Sequence, residues 1–326
     1  MPQQNDFPVR AVSVVIISKD EPSLGDTLDV MRAQCDEIGA ECVVVDASKG
    51  ALADIKGAHP WVRWHNFTSP EGREITIPHQ RNVGVRVAKG DVVAFCDSGG
   101  IPAAGWLARL TAPVLAGDAV ATGGPIRSSR HTSYGTLNDV PTGGRIRKVV
   151  TCNFAFTRTL FDKIGGFDER FDYGSDTEFG WRIEDAGEHV TSVEDAVVTI
   201  DWGSRRRQLK RDLRYGEAKA RQLVLCPSHR RRILRESPEV LVYPLVFLTL
   251  PLGIAAALGT GRWEVLVPWG AALVALVVRD LSCRRPVSSI VDHVVVTLGL
   301  VHEWVRGAFA ALRRPSASPG LSREQA

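Results

Sequence analysis

No two cysteines of this chain are spaced as CxxC, and the six present (Cys35, Cys42, Cys96, Cys152, Cys226, Cys283) follow no ladder of spacings. That argues against a zinc site and a disulfide scaffold and for a reducing compartment. The opening MPQQNDFPVR has no apolar core, so it reads as no signal peptide and sets the start of the chain in the cytosol. No GxGxxG separates the first apolar run from its helix, and no GKS or GKT occurs, which weakens dinucleotide-binding and P-loop readings. Charge of one sign is also scarce overall. A net charge of +3 on 326 residues names no partner, and only its distribution carries information. A chain this long buries a full core, as one large domain or two smaller ones.

What is present is organised around residues 90–106, GDVVAFCDSGGIPAAGW. A short continuous apolar run between turn residues predicts a buried strand of a parallel sheet, ending at Asp97. In open α/β sheets ligands bind beyond the carboxyl ends of the strands. An Asp there holds a ribose hydroxyl or a metal ion on a diphosphate; it also fits as a cap of a helix over 103–110. Upstream, residues 12–17 (VSVVII) predict a first strand followed by Ser18, Lys19 and Asp20. Leu24, Leu28, Met31 and Ile38 mark a helix over 24–38, and residues 41–45 a second strand ending in Asp46. Residues 62–66 predict a third strand and 77–88 a helix, with Pro78 suited to its first turn. Alternating strands and helices imply a parallel sheet with right-handed crossovers. Ser18, Lys19, Asp20, Asp46 and Asp97 then share one sheet edge, where a nucleotide would lie.

These segments, in this order, resemble the family 2 glycosyltransferases of GT-A fold over residues 12–225. VVVDAS (43–48) resembles the strand whose terminal Asp meets the uracil ring, which assigns that role to Asp46. Arg81-Asn82-Val83-Gly84 resembles the helix leading into the family's acidic DxD strand, and FCDSGGIPAAGWL (95–107) that strand and its helix. Asn153, Arg158, Phe161 and the run Gly165 to Phe171 (GGFDERF) follow the pattern closely. Gly174 to Arg182 (GSDTEFGWR) is similar to the family's "ED" helix. The resemblance implies a Rossmann-like, mostly parallel sheet flanked by helices, and an inverting, nucleotide-sugar-dependent transferase. It implies that Ser18, Lys19, Asp20, Asp46, Arg81, Asp97 and Ser98 bind the donor. The chain departs from the pattern twice. Three acidic positions here read Asp97, Ser98, Gly99, and glycine offers no side-chain ligand. Ser175 replaces the Glu of the acidic pair, leaving Asp176.

Inverting transfer needs a base, positive charge at the departing diphosphate, and a rigid cradle. Asp176 is the expected base; it opens a helix over 177–186, where the helix dipole favours a carboxylate, and capping by Ser175 or Asp176 is the competing reading. Asp97 is the expected ligand of Mg²⁺ or Mn²⁺, with Asp201, after a strand over 196–200, as a second. Lys19, Arg81, Arg127 or Arg130 could neutralise the diphosphate instead. Residues 123–149 lack periodicity and read as a flap, with His131 in it either a phosphate contact or an exposed histidine without a role.

Residues 204–235 are dense in cations, and the aromatics that stack nucleobases are nearly absent there. The next stretch, 240–258, carries no charge and is long enough to span a bilayer. Basic residues before such a span read as anchors facing anionic cytoplasmic lipid, so membrane is preferred to nucleic acid. Residues 265–278 are apolar but short and interrupted by Pro268: a hairpin return or a re-entrant segment. Residues 286–312 predict an amphipathic helix, lying in the membrane interface or packed as a core helix against the catalytic domain. Residues 315–326 form a polar tail expected to be disordered. The expected layout is a catalytic domain over 1–235 with a basic connector (204–235), a membrane-associated region over 236–314, and the tail. A hydrophobic anchor and a cytosolic nucleotide sugar suggest a membrane-associated acceptor such as a polyprenyl-linked sugar. The QxxRW motif of processive relatives fails, because Gln208 and Arg211 are followed by Asp212, which favours single transfer. The alternative is a membrane-tethered pseudoenzyme that binds nucleotide or glycan without transfer.

Overall fold

The structure is a computed structural model that describes residues 11–69, 75–129, 136–282 and 289–312. The chain separates into two compact units, residues 1–208 with 280–287, and residues 209–279 with 288–326.

The first unit opens with β1 (Val12–Ser18), α1 (Leu24–Ile38), β2 (Glu41–Asp46), α2 (Ala53–Ala58), β3 (Arg63–Asn66), α3 (Ile77–Val87) and β4 (Val92–Cys96), all expected from the sequence except the six-residue α2. It continues through β5 (Gly100–Pro102), α4 (Trp106–Ala116), β6 (Ala121–Gly123), β7 (Ile126–Ser128) and β8 (Arg145–Ile146). Then come β9 (Asn153–Thr157), α5 (Arg158–Ile164), α6 (Ser175–Asp185), β10 (Val190–Ser192) and β11 (Val198–Ile200). Eight strands form one sheet in the order β3-β2-β1-β4-β9-β6-β10-β8, and β5-β11-β7 form a second. The large sheet is parallel from β3 to β4; β9 then runs antiparallel to both β4 and β6.

Continuous apolar strands fit this sheet because both its faces are covered. On one face Val14, Ile16, Val44 and Ala94 pack with Leu24, Leu28, Met31, Trp106 and Leu110 of α1 and α4. On the other, Val15, Val43, Val93, Phe95, Phe154 and Phe156 pack with Phe161, Phe167 and Phe179. Gly84 lets α3 lie directly on that second face: a Cβ there would stand 2.4 Å from Val15 Cγ1. Cys35, Cys42, Cys96, Cys152 and Cys226 are buried free thiols, and Cys283 lies outside the described residues.

Two expectations are corrected here. The helix expected over 103–110 begins at Trp106, because the chain first turns at Gly99 (φ 83°) into β5. Asp97 therefore caps no helix. The segment 123–149 contains β7 and β8, strands of three and two residues that are too short for periodicity to reveal. Arg130 and His131 lie outside the described residues.

The second unit contains most of α7 (Arg205–Leu225), then α8 (Arg230–Glu236), α9 (Glu239–Thr260), most of α10 (Val267–Ser282) and α11 (Ser289–Leu312). Gly216 of α7 and Gly299 of α11 meet at a crossing where the backbones touch. A Cβ on Gly216 would lie 2.1 Å from Val296 O, and one on Gly299 2.1 Å from Leu213 O. Beside the crossing, Arg221 pairs with Glu303 at 3.0 Å and His302 meets Glu217 at 2.8 Å. The last helix, α11, packs on α7 and α9 within this unit and leaves Val291, Leu298 and Val305 exposed. Among the described residues, Glu239–Thr260 and Trp263–Ser282 are long and apolar enough to cross a membrane. Pro268 does not shorten the second, because it falls in the first turn of α10, where a missing amide donor costs nothing. The tail over 315–326 lies outside the described residues.

Candidate active site

Parallel pairing of β1 with β2 and β4 brings three strand ends to one edge, with Ser18 opposite Asp46. The loops there brace one another. Asp46, 7% exposed, accepts the Ser48 amide through Oδ1 at 2.8 Å, and the Ser48 hydroxyl accepts the Asp20 amide at 2.8 Å. Asp20 holds a left-handed φ of 54°, and Lys19 beside it is exposed. The Ser18 hydroxyl is buried and has no hydrogen-bond partner. Beyond β4, Ser98 donates to Ile17 O at 2.9 Å, so its hydroxyl ties the β4 loop to β1. The Gly99 amide donates to Thr27 Oγ1 at 2.9 Å. Asp97 projects from this braced turn with its side chain 44% exposed.

Helix α3 supplies the cation. Arg81, 7% exposed, lies with Nη2 3.9 Å from Asp97 Oδ1 and Nη1 3.4 Å from Ser175 Oγ. Its guanidinium carbon stands 5.7 Å from the centre of the Phe167 ring, and its Nε has no hydrogen-bond partner. The neighbouring Asn82 clamps the GGFDE segment. Its amide nitrogen donates to Phe167 O at 2.8 Å and Glu169 Oε1 at 2.9 Å, and its oxygen accepts the Phe167 amide at 2.8 Å. Phe167 then stacks on Phe179 of α6 with ring centres 4.2 Å apart. The chain from α3 to α6 is thus fixed by one amide side chain and one aromatic pair.

That clamp positions the start of α6. The N-cap is Gly174, in the left-handed region, with no capping side chain. Ser175 and Asp176 are the first two residues inside the helix, and neither is at the N-cap position. Ser175 is buried under Arg81, and Asp176 is half-buried in the first turn, accepting the Thr177 amide through Oδ1 at 2.8 Å. The charges of Asp97 and Asp176 both act on one buried thiol, Cys152. Burial pushes Cys152 up, the carboxylates of Asp97 and Asp176 push it further, and Arg81 opposes them. Asp97, Arg81 and Asp176 form one neighbourhood.

Asp201 follows β11, where Ile200 pairs antiparallel with Gly100, so it continues beside the Gly99 turn. Its Oδ1 accepts the Gly203 amide at 2.8 Å. Arg127 lies exposed in β7. Among the described residues no three His, Cys, Asp or Glu side chains gather as a metal site. The edge fits an ion carried by a diphosphate and held by one or two carboxylates, a style Mg²⁺ accepts, and does not fit a pre-formed three-ligand site.

Sequence reading missed Asn82, whose bonds reach residues 85 and 87 positions away, and Thr27 and Cys152. It named Arg81 and Ser175 separately, with nothing in the sequence to join them.

A mixed sheet flanked by helices, with its loops gathered at the carboxyl edge, defines the GT-A-like class of glycosyltransferase fold. Within that class, residues 13–168 match the family described as Glycosyl transferase family 2. The structure resembles the mannosyltransferase PcManGT from Pyrobaculum calidifontis, solved in complex with GDP-Man and Mn²⁺, with a TM-score of 0.63. Identity is 18% over 90% of this chain and 87% of that one. It also resembles S. aureus TarS, with a TM-score of 0.52 and 16% identity over 70% of this chain and 43% of TarS. No curated protein matches the chain in sequence.

Proposed function

We propose that the protein is an inverting glycosyltransferase that moves one sugar from a nucleoside diphosphate sugar to a hydroxyl of a membrane-associated or lipid-linked acceptor. The observation that carries this reading is the position of Asp176. Arg81 and the Asn82 clamp hold the start of α6 beside the strand edge that carries Asp46 and Asp97. Ser18, Lys19, Asp20, Asp46 and Ser98 form the donor cradle, with Asp46 at the nucleobase. Uridine is the first base to test, and guanine the second, because PcManGT was solved with GDP-Man.

In the transfer, Asp176 takes the acceptor's hydroxyl proton while the oxygen attacks the anomeric carbon. The bond from that carbon to the diphosphate oxygen breaks, and its electron pair leaves with the nucleoside diphosphate. One displacement from the opposite face inverts the configuration. A Mg²⁺ or Mn²⁺ ion brought with the donor would be held by Asp97, with Asp201 second, and would neutralise diphosphate charge.

The membrane part of the reading rests on α9 and α10. Leu241, Leu245, Leu252 and Leu258 on α9 and Val267, Val274 and Val278 on α10 are exposed, and hydrocarbon is the solvent that suits them. The cationic α8 immediately before them favours anionic headgroups on the cytoplasmic face of the cell membrane.

Asp176→Asn tests the reading. Donor affinity should stay near wild type while turnover falls by roughly two to four orders of magnitude, as for a positioned base. Unchanged turnover removes Asp176 from the mechanism. Nucleotide binding with no transfer in the wild type favours the tethered pseudoenzyme, which the acid-free Gly99 and Ser175 would suit.

A further inference from the structure

The pair of helices α9 and α10 carries almost no charge. From Val240 to Val278 the only charged residues are Arg262 and Glu264, and both lie at the turn between the helices. The two helices run antiparallel in one register. Tyr243, near the start of α9, accepts a hydrogen bond from Arg279, near the end of α10, at 2.7 Å. Further along, Trp269 Nε1 donates to Thr249 Oγ1 at 2.9 Å. The Trp269 ring also fills the space beside Gly253, where a Cβ would meet it at 2.9 Å. The two open ends of the hairpin are therefore level with each other, and the Arg262 turn is at the far end. A small residue that admits close contact is a common device where helices pack in hydrocarbon. Pro244 and Pro251, both inside α9, are also better suited to a membrane helix than to a soluble one.

A bilayer offers such a hairpin three placements. Lying flat needs a polar face toward the headgroups, and between Val240 and Val278 neither helix has a charged one. Re-entry needs the turn to stop in hydrocarbon, which would bury Arg262, Glu264 and the open backbone groups of the turn. Crossing puts all of these in water. The length fits as well: Tyr243 to Thr260 spans about 26 Å at 1.5 Å per residue, against about 30 Å of hydrocarbon. Trp263, 60% exposed at the turn, and Tyr243 at the other end then stand at the two interfaces, where aromatic side chains concentrate.

We propose that the α9–α10 hairpin crosses the bilayer completely and exposes the turn at Arg262 to Glu264 on the face opposite α8. The orientation follows from the cations. Arg230, Arg231, Arg232 and Arg235 precede the hairpin, Arg279, Arg284 and Arg285 follow it, and Arg262 is alone at the turn. Flanks rich in arginine stay in the cytoplasm, so the turn faces away from it. This rests on the membrane reading above and not on the transfer chemistry. The chain then has a short outer segment, and it is more than a protein bound to the inner leaflet.

The test is sided labelling of the full chain in spheroplasts, with a membrane-impermeant maleimide as the probe. Cys283→Ser is the background and sets the unlabelled baseline, since the other five cysteines are buried. Arg262→Cys, at the turn, should label in intact spheroplasts as fully as after detergent. Ser228→Cys, exposed just before α8, should label only after detergent. The wild-type chain should stay in the membrane pellet through alkaline carbonate, and its release to the supernatant overturns the membrane reading itself. With the chain retained, labelling of Arg262→Cys only after detergent puts the turn on the near side and overturns the crossing. Labelling of that variant in neither state does the same, because the turn is then enclosed. Labelling of Ser228→Cys in intact spheroplasts overturns the orientation.

Discussion

Gly99 closes off the obvious repair of the acidic motif. Its φ is 83°, and a Cβ built there would meet Ser23 Oγ at 2.7 Å. Its amide is held by Thr27. A side chain at 99 is therefore strained by backbone and neighbour together, which costs on the order of 1–3 kcal/mol. Gly99→Asp should lower the melting temperature and leave Mn²⁺ affinity, measured with the nucleoside diphosphate present, no better than wild type. Tighter Mn²⁺ binding without loss of stability would show that the turn relaxes. At this scale the sequence carried much of the strand edge that ends in Asp46 and Asp97. Asp46 and Asp97 end apolar runs, and such runs become buried parallel strands because their residues suit sheets covered on both faces. The sequence did not carry the link between Arg81 and Ser175, which stand 94 residues apart and meet only when α3 and α6 pack.

Among the elements, α3 does the most with the fewest residues. Arg81 faces the strand edge, Asn82 holds the GGFDE segment, and Gly84 allows contact with the sheet. The far end is closed by Arg158, whose guanidinium donates to Val85 O at 2.7 Å and Ala88 O at 2.8 Å, carbonyls left over where the helix stops. Asn82→Ala would break three hydrogen bonds and leave the buried Phe167 amide and carbonyl without these partners. A loss of roughly 2–4 kcal/mol is expected, from a penalty of about 1–3 kcal/mol per unsatisfied group that is partly relieved by relaxation. Because the clamp aligns α6, turnover should also fall, although Asn82 is outside the proposed donor cradle. A positioning role predicts that kcat falls with nucleoside diphosphate affinity preserved, and equal loss of both would reduce Asn82 to a stability residue. The family-like sequence run marked α3 as notable, but the clamp itself needed the structure, since nothing local distinguishes a clamping Asn from one facing water.

For the whole molecule, the second unit decides how the chain must be handled. Its apolar helices were legible because a run without charge needs no long-range information to recognise. The α7–α11 crossing was not legible, since Gly216 and Gly299 are 83 positions apart and each alone reads as an ordinary helical glycine. That crossing bears on where the chain can be cut. The sequence places the end of the catalytic domain at 235, which keeps all of α7 and discards α11. Such a fragment loses the backbone surface that Gly216 packs on and the partners of Arg221 and Glu217, and it uncovers Ala220, which packs with Val240 and Leu300. A cut after Gln208 removes all but the first four residues of α7 together with α11, so that no half of the crossing is left without the other. The fragment ending at Gln208 should therefore be monodisperse without detergent and bind the nucleoside diphosphate, while the one ending at Arg235 should aggregate. The full chain should sediment with anionic vesicles, held by α9 and α10 after the cations of α8. Size-exclusion chromatography of the two fragments, followed by calorimetry on whichever is monodisperse, checks this directly. If the Arg235 fragment is the soluble one, α7 is stable without α11, and the glycine crossing is not a condition for α7.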